Sequence, residues 1–309
     1  MDLIAFGIVF LEVVFGDVPA LPGPGEEIFT DQFAFSCGGG AVTVATAATQ
    51  LGVRAGISVL LGDDLGSRMA EEHCRRAGID LTPSRYVRGP VTGISAVVNF
   101  GGDRAFISHV PRQPGASRRH SGHWLEVLRE HRPRWCYVHA DQGVAPFLRE
   151  ARSLGVRIAL DVAPNDIDDD KGAVIDCVRL ADVFLPNSAE LLQLTGAGSF
   201  AEAVAKAVTW CPCVVVKRGG DGAVVAQPAG TTHVTDGIRP GPVRDRTGAG
   251  DAFAGALIGA LCQGASITEA AVAGNAAGSR TVSVLGAVGE VPMERLMAAP
   301  PSLAEAPVR

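Results

Sequence analysis

The densest run of reactive residue types in this chain is Asp245-Arg-Thr-Gly-Ala-Gly-Asp-Ala-Phe253, which leads directly into a stretch of small apolar residues. Gly248, Ala249 and Gly250 let the backbone turn tightly, so unpaired N–H groups point outward where a helix begins. Such a helix N-terminus binds anions, and a phosphoryl group in flight is one such anion. Asp251 falls in the first turn, where a carboxylate is stabilised as an anion and can take a proton from an attacking hydroxyl. On local physics alone, an ordinary glycine-rich loop capped by Asp251 competes with that reading.

Other polar residues stand where strands end. His139 and Asp141 close one strand at its carboxyl edge, where open α/β sheets bind ligands, although a structural hydrogen bond explains them equally well. Asp161 closes the next strand. Asn187-Ser-Ala-Glu190 follows a short apolar run and reads as a helix start, with Asn187 capping and Glu190 in the third position. Neither a G-x-x-x-x-G-K-[ST] loop nor a G-x-G-x-x-G turn occurs, which removes the P-loop route to a nucleotide.

The elements that must position these residues are legible in the pattern. Leu3–Phe10 reads as a strand, Ala41–Leu51 and Ser67–Ala77 as helices, and Ile57–Leu61 as the strand between them. Further on, strands at Trp135–His139, Arg157–Val162, Val183–Leu185 and Val214–Val216 alternate with helices at Val144–Leu154, Ala173–Leu180, Ala189–Leu194 and Phe200–Ala207. Ala223–Gln227 and His233–Thr235 read as an antiparallel pair, followed by helices Ala252–Cys262 and Thr268–Val284. This rhythm implies an α/β fold: a doubly wound, mainly parallel sheet with helices on both faces. Two β-rich excursions, 12–36 and 86–110, fall outside the rhythm and are expected to form one small sheet, a lid on a single domain spanning 1–309. Seven of the 12 phenylalanines (10, 15, 29, 33, 35, 100, 106) lie in or beside these excursions. They would stack on a substrate, fill the lid's own core or meet a second copy.

Composition sets outer bounds. With 47% hydrophobic and 19% charged residues there is ample material for a packed core. A net charge of −6, with basic residues scattered, argues against a nucleic-acid partner. The apolar N-terminus carries Asp2 and Glu12 and no Lys or Arg before Arg54, unlike a signal peptide. No run approaches the ~20 apolar residues of a membrane helix. Seven cysteines, an odd count without paired spacing, fit a reducing compartment, so the expected setting is cytoplasmic.

Five motifs in order resemble one family. Asp245–Phe253 resembles the C-terminal signature of the ribokinase-like, or PfkB, carbohydrate kinases. Gly38-Gly39, Ala45, Ala47, Leu51-Gly52 and Gly62-Asp63-Asp64-Leu65-Gly66 resemble its N-terminal signature. Asn187-x-x-Glu190 matches an internal element, Lys217-Arg-Gly-Gly-Asp-Gly222 looks like the nucleotide turn, and Asn275 with Gly286-Ala287 resembles the adenine-side helix and loop. The matches extend from about residue 3 to residue 292. The resemblance implies ATP-dependent phosphorylation of an alcohol, with Asp251 as base and Gly248–Gly250 as anion hole. It implies magnesium organised by Asn187 and Glu190, largely through water, and ATP contacts from Asn187, Lys217, Gly219, Gly222 and Asn275. It also makes the loop at Asp245 a candidate for a monovalent cation such as K+.

The substrate end departs from the family pattern. Glu12 stands where the family usually has Asp, and Thr43 where it has Asn, beside Gly38 and Gly39. Glu reaches one methylene farther and Thr lacks the amide's two donors, so ribose is expected to be a poor substrate. The expected activity is a sugar or sugar-like kinase, with a nucleoside kinase of the same family as the near rival. A non-catalytic sensor is the rival from another class, and retention of Asp251, the anion loop and Asn187/Glu190 argues against it. The exposed edge of the lid predicts a homodimer.

Overall fold

A computed structural model describes residues 1–111, 121–234 and 242–289. After β1 (Leu3–Phe6) the chain leaves the main layer for β2 (Phe10–Gly16) and β3 (Gln32–Gly38), then returns through α1 (Gly40–Thr49) and β4 (Ala55–Ser58). Strand β5 (Leu60–Leu61) precedes α2 (Leu65–Ala77) and pairs with β6 (Arg85–Tyr86). The hairpin β7 (Gly93–Phe100) and β8 (Asp103–His109) comes before α3 (Ser121–His131). From there the order is β9 (Trp135–His139), α4 (Ala145–Ser153), β10 (Arg157–Asp161), α5 (Pro164–Val178), β11 (Val183–Phe184), α6 (Ser188–Thr195), α7 (Phe200–Ala207) and β12 (Val214–Lys217). The strands β13 (Ala223–Gln227) and β14 (Gly230–Val234) follow, then α8 (Ala249–Cys262) and α9 (Ile267–Thr281).

The main sheet runs β14-β13-β12-β11-β10-β9-β1-β4 and is parallel except where β13 pairs with β12 and β14. Side chains alternate across it. Leu3, Ala5, Trp135 and Tyr137 join the core shared with α1, α2, α8 and α9; Ile4, Phe6, Cys136 and Val138 join the one shared with α3 to α7. Burial on both faces is why these strands read as nearly continuous apolar runs. All seven cysteines are buried thiols outside any disulfide, behaving as small core residues. Among the described residues no helix is long and apolar enough to cross a membrane.

Helices α1 and α8 pack closely because α8 is built of small residues. A Cβ on Gly255 would collide with the Val44 carbonyl, so the close crossing requires glycine there. That crossing brings the N-terminal ends of both helices to the same point above the sheet.

The small sheet has the order β3-β2-β7-β8, with β2 antiparallel to β3 and parallel to β7. Its register places Phe10, Glu12, Ser36, Ser95, Val97 and Phe106 on one face and Phe15, Phe33, Phe35, Ile94 and Ile107 on the other. Phe33 stacks against both Phe15 and Phe35.

Four local readings need correction. Ile57–Leu61 is not one strand: Ser58 ends β4 in the main sheet, and Leu60–Leu61 form β5, which pairs with β6. Leu3–Phe10 is not one strand: Phe6 ends β1 in the large sheet and Phe10 begins β2 in the small one. Apolarity continues across the break because both sheets bury their ends. Helix α5 begins at Pro164 rather than Ala173, with a non-helical Asp170 inside it. The acidic run Asp166–Asp170 has no apolar face to reveal a helix. Helix α3 has no counterpart in the sequence reading, although Trp124, Val127 and Leu128 stand at helical spacing and are buried. Thr235, read as the end of a strand, lies outside the described residues.

Candidate active site

In the main sheet β1 lies between β4 and β9, so the chain winds one way from β1 and then the other; the crevice at such a reversal is where open α/β sheets bind ligands. His139 ends β9 at that crevice. Asp251 hangs over it from the first turn of α8, after the left-handed cap residue Gly248 (φ 73°). Gly40, the first residue of α1, closes the space from above. A Cβ on Gly40 would lie 2.9 Å from Asp251 Oδ1 and 3.2 Å from His139 Nε2, so a side chain there would displace the carboxylate. Two helix N-termini therefore face the Asp251 carboxyl and favour its anionic form.

Beneath Asp251 lies a buried polar network. Tyr137 is 0% exposed. Its hydroxyl is 3.0 Å from Asp251 Oδ1, 2.9 Å from His139 Nε2 and 3.3 Å from Asp161 Oδ2. His139 Nε2 is itself 3.8 Å from Asp251 Oδ1, an ion-pair distance. Burial alone would raise the Asp251 pKa, but His139, Lys217 and Tyr137 outweigh it and hold the group below the ordinary carboxylate value. Burial opposes charge on His139, yet the carboxylates of Asp251 and Asp161 raise its pKa. Burial, reinforced by the same two carboxylates, pushes the Tyr137 phenol well up, so it remains a donor.

Lys217 ends β12 and reaches Asp161 Oδ2 at 2.6 Å. Its Nζ would be 3.4 Å from a Cβ on Gly250, which puts the ammonium beneath the Gly248–Gly250 turn. Burial would lower its pKa, but Asp161 and Glu190 more than compensate, so it stays charged. One ligand atom each of His139, Asp161 and Asp251 lies within 4.8 Å of the others, as in a metal site. The Lys217 ammonium already holds Asp161, and a second cation there would be repelled.

Asn187 caps α6 in a reciprocal box: Asn187 Oδ1 accepts from Glu190 N at 2.9 Å, and Glu190 Oε2 accepts from Asn187 N at 2.7 Å. Glu190 is buried, and desolvation raises its pKa to about 7 against the opposing charge of Lys217. The segment pairs with Lys217 through an Asn187–Lys217 bridge.

The residues expected at the substrate end also gather here. Glu12 is 6% exposed; Oε2 faces the Ala287 N–H at 3.4 Å, and a Cβ on Gly38 would collide with its side chain. Desolvation, with the charges of Asp245 and Asp251 added, raises its pKa to about 7. Gly39 caps α1, and Thr43 is buried with Oγ1 3.5 Å from the Gly39 carbonyl. Asp245 accepts from Thr247 N (2.9 Å), Thr247 Oγ1 (2.7 Å) and Gly286 N (2.9 Å), tying the start of the Gly248–Gly250 turn to the segment after α9. Gly219 begins, and Gly222 ends, a tight turn after β12. Asn275 is buried on α9 and donates from Nδ2 to the Val234 carbonyl at 3.1 Å. Tyr137 and Gly40 were not singled out in the sequence. Period-two spacing puts Tyr137 on the same sheet face as His139, and a buried tyrosine hydroxyl needs a polar partner, so that signal was available.

A family model described as pfkB family carbohydrate kinase matches residues 3–132 and 144–293. The chain is 28% identical over 279 residues to the aminoimidazole riboside kinase of Salmonella typhimurium, covering 82% of this chain and 84% of that one. It is 30% identical over 264 residues to an ATP-dependent ribose-1-phosphate kinase of Halopiger xanaduensis, covering 82% of each. A solved structure of a putative Ribokinase II from E. coli in complex with ATP and Mg2+ superposes with a TM-score of 0.78 at 22% identity, over 96% of this chain and 98% of that one. That likeness shows the ribokinase fold. The match along nearly the whole chain makes this protein a member of the pfkB family of carbohydrate kinases, and so an ATP-dependent phosphotransferase to an alcohol group.

Proposed function

We propose that the protein phosphorylates an alcohol hydroxyl of a sugar or nucleoside at the crevice beneath α1 and α8, with Asp251 as the general base. One observation carries the reading: the Asp251 carboxyl stands at two helix N-termini, directly after a turn whose first N–H groups have no intrahelical partner. Asp251 takes the hydroxyl proton as the substrate oxygen bonds to the γ-phosphorus and the bond to ADP breaks. The N–H groups of Gly248–Gly250, with Lys217 beneath them, stabilise the charge spread over the transferring group.

Magnesium fits the residues present. Glu190 is a buried carboxylate raised toward neutrality, and Asn187 and Glu190 each have one oxygen engaged in the cap, which leaves lone pairs for water on a hard cation. Bound there, magnesium would neutralise charge on the phosphates. Asp245 has about one of its four acceptor sites left, which suits K+ held through a single oxygen behind the anion loop. ATP contacts from Asn187, Lys217, Gly219, Gly222 and Asn275 belong to the same reading, as do a homodimer through the outer face of the small sheet and a reducing, cytoplasmic setting for the buried thiols.

Glu12, Gly38, Gly39 and Thr43 form the substrate end. Phe10 and Phe106 share the small-sheet face of Glu12, which supports a nucleoside as the second reading; the riboside kinase among the relatives supports it too. A panel of sugars, sugar acids and nucleosides, followed by phosphate transfer from ATP, tests both. Ribose should give a kcat/KM well below the best member, because Glu12 and Thr43 replace the usual hydroxyl readers. If ribose wins outright, this account of the pocket is wrong. No transfer to any alcohol would remove the kinase reading of the site.

A further inference from the structure

The network below Asp251 has one hydroxyl proton for three acceptors, and the geometry assigns it. Asp161 already accepts from Lys217 at 2.6 Å and from Val162 N at 2.9 Å, while Tyr137 approaches it only at 3.3 Å. Asp251 Oδ1 is closer, at 3.0 Å. A carboxylate can only accept whereas the imidazole Nε2 can carry a proton, so the tautomer that satisfies all three groups has the phenol donating to Asp251 and accepting from His139 Nε2 at 2.9 Å. Among the described residues, hydrogen bonds to Asp251 reach Oδ1 alone.

We propose that Tyr137 and His139 are positioning residues for Asp251: the phenol, backed by the imidazole, occupies Oδ1 so that Oδ2 meets the substrate hydroxyl, and the imidazole's charge sets how strong a base Oδ2 is. This rests on Asp251 being the base. In the step itself the substrate O–H bond breaks and its proton passes to Oδ2. The new O–P bond forms as ADP leaves with the electrons of the broken P–O bond. Tyr137 and His139 exchange no proton with substrate.

Titration of His139 need not break the chain of hydrogen bonds, since Nε2–H is present in both the imidazolium and the neutral tautomer that donates to Tyr137. Only the charge 3.8 Å from Oδ1 changes. The charged and titratable groups facing the ring are Tyr137 on its own strand, Asp161 on β10, Glu190 on α6, Lys217 on β12 and Asp251 on α8; α1 brings Gly40, which has no side chain. The carboxylates raise the ring's pKa, so His139 is protonated on the acid side of a midpoint above its ordinary 6.5. Below that midpoint the imidazolium weakens Asp251 as a base, and the rate should rise as pH passes through it.

The test is the single-turnover rate of phosphate transfer from ATP to the best substrate of the panel, from pH 5.5 to 8.5. For the wild type we expect a rise of roughly threefold to tenfold, as general-base catalysis follows base strength. His139→Gln keeps an N–H to offer Tyr137 but cannot titrate, so the rise should vanish. Tyr137→Phe preserves the buried ring, and its kcat should fall about tenfold or more with substrate KM changed only a few-fold, because a misplaced base loses rate rather than binding. A wild-type pH rise that persists in His139→Gln would assign it to Glu12 or Glu190 and overturn the proposal. So would a wild-type kcat in Tyr137→Phe, which keeps the idea testable should the histidine variant not fold. Failure of the underlying reading is separate: Asp251→Asn would then transfer phosphate at the wild-type rate. If Asp251→Asn is inactive while His139→Gln keeps the rise, the base stands and the positioning pair falls.

Discussion

Replacing Glu12 by Gln should make the protein more stable at high pH and leave it unchanged at low pH. Glu12 is almost fully buried, and desolvation lifts its pKa to about 7 from an ordinary 4.5. The unfolded chain releases this proton near 4.5 and the folded chain near 7. Between those values the folded state binds more protons, so stability falls as pH rises through the window and levels off above it. The difference of about 2.5 units, at 1.36 kcal/mol each, is worth about 3 kcal/mol at pH 8. Glutamine keeps an acceptor for the Ala287 N–H, and Ser36, opposite Glu12 in the β2–β3 ladder, has a buried hydroxyl with no hydrogen-bond partner among the described residues, which can accept from the new amide. Urea unfolding at several pH values from 4.5 to 8.5 would measure this. The wild-type and Glu12→Gln stabilities should meet near pH 4.5 and separate by about 3 kcal/mol at pH 8. A separation that does not change with pH would refute the reasoning, because the ionised carboxylate would then carry no burial penalty.

Asn187→Ala combined with Glu190→Ala should move the magnesium requirement upward and slow transfer, besides costing about 1–2 kcal/mol for the lost cap. An unchanged magnesium titration would leave the pair a helix cap only. The small sheet presents Phe33, Ile94 and the 77%-exposed Ile107 on one face, an apolar patch suited to a second copy. Sedimentation at micromolar concentration should give a dimer that Ile107→Asp weakens, and a wild-type monomer would contradict this.

The layered fold was readable because its signals are periodic: strands buried on both sides, helices of small residues, and punctuation such as Gly78, which caps α2 in the left-handed conformation. What escaped was local. The acidic first half of α5 shows no apolar stripe, and the break at 7–9 is hidden because both sheets bury their ends. Candidate residues for the proposed site were legible where a motif carries them, as at Asp251, Asn187 and Gly248. Their joint geometry was not. Tyr137 and Gly40 meet Asp251 from sequence positions far away, Tyr137 being 114 residues from it. Equally, Glu12 reads as a polar group for substrate, while its burial against Gly38 and its approach to the Ala287 N–H appear only in three dimensions.

The central claim is that Asp251 is the base of phosphoryl transfer, and Asp251→Asn tests it most directly. Asparagine fills the same space between Gly40 and Tyr137 but cannot take a proton from the substrate. The single-turnover rate of transfer from ATP should fall ~10²–10⁴-fold while ATP affinity stays near that of the wild type. A rate within a few-fold of wild type, measured with the same alcohol and saturating magnesium, would remove Asp251 from the mechanism.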